Sequence, residues 1–135
     1  MPTPLNHALL IMETGALTTV EIPDPTKDSV AFLQQVCDGH FETLGLGDGI
    51  TAWFPEDGTG HQPNPVATLL IHDLTGALHL ILGPTVITSC THGRIVDMPN
   101  PTRQHLRHII ELTRSEHQLL SRITTATLIK AEWLS

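Results

Sequence analysis

Between Asp48 and Thr88 the chain passes through four unlike pieces. They are an aromatic apolar run (Ile50–Phe54), a Gly-rich acidic loop (Pro55–Pro63), an Asn-Pro pair, and a second apolar run ending Ile-Leu-Gly-Pro-Thr-Val-Ile-Thr. The loop holds no run of helix or strand formers. Asn64-Pro65 is a helix start, since Asn is a favoured cap and Pro costs nothing at the first helical position. This stretch therefore reads as strand, loop, helix, strand, with the loop at the rim of one packed module.

Breakers set the scale of the remaining elements. Ten prolines and ten glycines in 135 residues call for short elements joined by defined turns. His7–Glu13 and Ala16–Ile22 flank Thr14-Gly15 and read as a hairpin, stopped by Pro23 and Pro25. Asp28 or Ser29 can cap a helix with Val30, Leu33, Val36 and Cys37 on one face, and Gly39 suits its left-handed end. His40–Leu46 and Ile50–Phe54 read as strands around Gly47-Asp48-Gly49. Val66–His72 can make two helical turns. Leu78–Leu82, Thr85–Ser89 and His92–Asp97 read as further strands. The longest helix starts near Thr102, with Leu106, Ile109, Ile110, Thr113, Leu120 and Ile123 in one stripe. Residues 124–133 suit either helix or strand.

The expected fold is α+β: a small mixed or antiparallel sheet with one packed helix, loosely grasp-like, and a long C-terminal helix. The α+β core domain is assigned to residues 1–98. Residues 99–135 form a helical extension packed on that core or on a second copy.

Composition narrows the function. Net charge is −7 with no basic cluster, which disfavours nucleic acid as a partner. No apolar run reaches the ~18 residues a membrane span needs. Met1 is followed by PTPLNH, with neither a basic start nor a long apolar run, so a cytoplasmic location is expected, with Cys37 and Cys90 reduced. At 135 residues the core is large enough to fold without a disulfide or metal.

Three stretches carry a resemblance: Ser29–Gly39 (SVAFLQQVCDG), Asn64–Thr68 (NPVAT) and Ile81–Thr88 (ILGPTVIT). With the order of elements around them, they resemble the domain of unknown function 3846 family, uncharacterised proteins of phages and actinobacterial mobile elements. The resemblance lies within Leu9–Ser89 and leaves out the last helix. The family usually carries an acidic Asn-Glu pair after its aromatic strand, where this chain has Pro55-Glu56-Asp57. The resemblance implies a small accessory protein rather than a mechanism.

No known catalytic signature occurs, and no catalytic residue, cofactor or metal is expected. Cys37 with His40 and Cys90 with His92 are ill-spaced for a zinc site, and His105 with His108 are a bare pair on one helix. Cys90 and His92 can share a strand face, yet a Cys among Ile, Thr and Ser suits a small core residue. Glu56 and Asp57 match no calcium loop. The best ligand candidate is the loop from Gly58 to Thr68, with Gly58, Gly60, His61, Gln62, Asn64 and Thr68 as contacts. Its Gly-x-Gly leads to a helix N-terminus, where free N–H groups and the dipole favour anions. Trp53, beside that loop, and Arg107 and Arg114 on the last helix are the candidate protein contacts.

The expected function is a small non-enzymatic accessory protein that binds a host protein. The alternative is capture of a small anionic or nucleotide-like signal at Gly58–Thr68. A homodimer through the last helix fits either.

Overall fold

A computed structural model describes the backbone of residues 5–134 and the side chains of residues 5–118. Strands β1 (Leu5–Ile11) and β2 (Leu17–Pro23) precede helix α1 (Thr26–Cys37). Strands β3 (Phe41–Gly47) and β4 (Ile50–Pro55) precede α2 (Pro65–Thr75). Strands β5 (Thr85–Thr91) and β6 (Arg94–Val96) lead into α3 (Asn100–Leu134). The sheet is antiparallel in every pairing and ordered β2-β1-β5-β4-β3, with β6 on β5. The fold is thus α+β, with an antiparallel sheet and a long C-terminal helix.

Strand alternation divides two apolar layers. Leu9, Ile11, Ala52 and Ile87 face α2 and α3, where Val66, Leu70, Ile71, Leu106 and Ile110 complete the larger core. Ala8, Val86 and Ile22 face α1 and pack on Leu33, joined by half-buried Trp53 and Phe41. Covered on both faces, β5 is buried from Thr85 to Ser89. Each large apolar side chain so buried contributes roughly 1.5–3 kcal/mol.

Turn chemistry sets the register. Asp48 and Gly49 have φ of 54° and 73°, and His92 and Gly93 have 52° and 75°. Two successive left-handed residues are what a type I′ hairpin turn demands. The second turn takes His92 out of the expected strand, which begins only at Arg94.

Other boundaries differ for local reasons. Helix α1 begins at Thr26, before Asp28 and Ser29, and Pro25 caps it without a side-chain bond. Ser29 instead donates its hydroxyl to the Pro23 carbonyl at 2.7 Å. The left-handed cap of α1 is Asp38, one residue before Gly39. Leu78–Leu82 forms no strand; its one ladder contact is Leu82 with Pro63. Both edges of β5 are already taken by β1, β4 and β6, so the segment leading into β5 cannot pair beside it.

Helix α3 continues to Leu134, so residues 124–133 are helical. Leu106 and Ile110 are buried and Ile109 is half-buried against the core. The expected burial of Leu120 and Ile123 lies outside the described side chains. No described helix is long and apolar enough to cross a membrane.

Candidate functional site

Asn64 anchors the Gly58–Thr68 loop. Its side chain accepts from the Ala67 N–H at 3.1 Å and donates to the carbonyls of Ile11 at 3.0 Å and Gly83 at 2.9 Å. Its carbonyl accepts the N–H and the hydroxyl of Thr68, and its own N–H donates to the Ile81 carbonyl. Thr68 in turn accepts from the Ile81 N–H at 3.0 Å. Both residues are buried.

The rest of the loop is tied down as well. Asp57 accepts from the Thr59 N–H at 2.9 Å, and the Thr59 side chain, followed by that N–H, holds its carboxyl below the usual range. The His61 N–H donates to the Gly58 carbonyl, and the Gln62 N–H donates to the Glu13 carboxylate at 3.1 Å. A Cβ at Gly58 would collide with the Leu82 side chain, and one at Gly83 would come within 3.1 Å of the His61 ring. Gly60 and Gln62 are exposed and His61 is half-buried.

This geometry leaves the expected anion site few free donors. Asn64 and Thr68 serve the interior, and the N–H groups of Ala67 and Thr68 are already bonded. The Glu13 carboxylate at the rim repels anions. Gly58, Gly60, His61 and Gln62 remain as surface positions.

The expected protein contacts are half-buried and bonded within the chain. The Trp53 indole N–H donates to the Thr88 hydroxyl at 2.7 Å, and its ring meets Phe41 edge-on at 5.5 Å. Arg107 donates to the Thr19 hydroxyl, and Arg114 to the Gly15 carbonyl and to Glu111. The two arginines clasp α3 to the β1–β2 hairpin. Cys37 is buried, which pushes its thiol up to about 11. Among the described residues no group of three His, Cys, Asp or Glu could hold a metal ion. His92 sits in the turn between β5 and β6, with φ of 52°, and not on a strand face with Cys90.

Two surface features emerge that the sequence reading missed. One is a cleft of about 390 Å³ between the Asp48 turn and the start of α3. Leu46, Ile50, Leu74 and Leu106 supply its apolar lining, with Asp48, Thr102 and His105 as polar members. A second cleft of about 310 Å³ shares Asp48, Ile50 and Thr102 and adds Asp97. Neither contains Lys or Arg, and neither touches residues 58–68. The other feature is the segment between α2 and β5, where Leu78 and Leu80 are each 74% exposed. Its alternating Leu-His-Leu is a strand signal, and nothing local says that the strand lacks a neighbour. The Asp48 turn was legible as a turn; its meeting with His105 comes from packing of distant segments.

No family model, curated protein or solved structure matches this chain.

Proposed function

We propose that this chain is a non-enzymatic binding protein whose contact surface is the segment around Leu78 and Leu80. The observation carrying this reading is that two leucines two residues apart are each 74% exposed on a segment outside any helix or strand. An exposed apolar segment with strand propensity is what another protein can cover, either in an apolar groove or as an added strand. The resemblance to proteins of phages and mobile elements supports an accessory protein acting on a host protein.

The test is a Leu78→Ser, Leu80→Ser double variant. Its stability should stay within about 0.5 kcal/mol of the parent, because the changes are on the surface. Partners co-purifying with the parent from host cells should be lost. Retention of the same partners would refute the reading.

A second reading rests on the cleft between the Asp48 turn and α3. Its volume lies within the range of small-molecule sites, and its one carboxylate, Asp48, without Lys or Arg favours a neutral or cationic ligand over the anion first expected. A thermal-shift screen against amines, repeated on Asp48→Asn, tests it. A stabilising hit that Asp48→Asn abolishes would move the function to this cleft.

A further inference from the structure

Helix α3 spans 35 residues, about 52 Å at 1.5 Å per residue, against roughly 30 Å for the width of a small domain. The described positions that bury it on the core, Leu106, Ile110 and Thr113, lie in its first 14 residues. The sequence of the helix also carries a second register, spaced alternately by four and three, which takes Ile123 from the stripe expected above. It reads Leu112, Glu116, Leu119, Ile123, Ala126, Lys130 and Trp133. Spacing of this kind is that of a coiled-coil seam. Leu112, at its start, is 52% exposed.

The two charges in this register choose the occupant. Glu116 and Lys130 each lie seven residues, two turns, from Ile123. In a parallel pair of α3 helices Glu116 would meet Glu116 and Lys130 would meet Lys130. In an antiparallel pair with its two-fold axis at Ile123, each Glu116 stands beside Lys130 of the second copy. We infer that α3 is the self-association surface of this protein, docking antiparallel on a second copy of itself about Ile123. The overlap from Leu112 to Leu134 is about three heptads, enough for a pair of helices.

Sedimentation equilibrium of the full chain tests this. The parent should dimerise reversibly, and Ile123→Asp should be monomeric with its far-ultraviolet spectrum retained. Glu116→Lys should weaken the dimer about tenfold, because two symmetry-related pairs turn from attraction to repulsion. Lys130→Glu should do the same, and the two changes together should restore parental affinity. In a parallel dimer Glu116→Lys only exchanges one like-charge pair for another, so unchanged affinity overturns the inference. A parent that stays monomeric up to millimolar concentration, with α3 folded back on its own core or reserved for another protein, also overturns it.

Discussion

The Thr68 hydroxyl donates to the Asn64 carbonyl at 2.9 Å and accepts from the Ile81 N–H at 3.0 Å. Asn64 closes the ring by donating its own N–H to the Ile81 carbonyl at 2.8 Å. One Asn and one Thr thus hold the start of α2 to the chain entering β5, while the Asn64 amide reaches β1.

Asn64 should therefore matter beyond capping. Asn64→Ala removes the cap and takes the amide donor from the Ile11 and Gly83 carbonyls, at about 3 kcal/mol in all. Asp caps as well as Asn but cannot donate when ionised. Asn64→Asp should cost at least as much as Asn64→Ala in urea titrations. A near-neutral Asn64→Asp would show that capping is its main role.

Thr68→Val keeps the shape and removes the hydroxyl that the buried Ile81 N–H donates to. A loss of about 1–3 kcal/mol is expected, with Thr68→Ser losing less. Equal losses for Val and Ser would assign the effect to packing instead.

On α3, Ile110 is fully buried and Ile109 is half-buried. Ile110→Ala should cost about 3 kcal/mol, and Ile109→Ala less than half of that. Thermal melts of the two variants rank them directly. The reverse order would mean that α3 is rotated on the core.

Cys37 should be silent towards thiol reagents. Burial lifts its thiol to about 11, so almost no thiolate exists near pH 8. In a Cys90→Ser variant, colour from an aromatic disulfide reagent should appear only as the protein unfolds. Rapid labelling of the native variant would contradict the buried position.

The His7 N–H donates to the Asp97 carboxylate at 2.7 Å and holds its carboxyl below the usual range. A depressed folded value means stability that is present above the unfolded value of about 3.9 and is lost as pH falls through the folded one. Asp97→Asn should destabilise at pH 7, and its deficit should shrink below about pH 4. The side chain is 53% exposed, so the effect should be well under 1 kcal/mol. A deficit that does not change with pH would remove the charge from the explanation.

The candidate site was less legible than the fold. Asn64-Pro65 announced its helix correctly. Yet the same residues looked like an anion cradle, because the sequence does not show that the carbonyls of Ile11, Ile81 and Gly83 converge on Asn64 and the Ile81 N–H on Thr68. Arg107 and Arg114 read as protein contacts, since Thr19 and the Gly15 carbonyl, which they reach, lie 88 and 99 residues earlier.

Local chemistry determined the elements themselves. Gly-containing turns, the Asn-Pro start and the apolar spacing of Leu106 and Ile110 depend on neighbours within a few residues, and these are written in order along the chain. Tertiary structure alone decided that both edges of β5 were filled, and so left Leu78–Leu82 no place beside it despite its propensity. It also decided that Trp53 turns inward to Thr88 and that the Asp48 turn meets His105 across a cleft. These outcomes depend on contacts between distant segments, whose register is set by burying both faces of β5 at once.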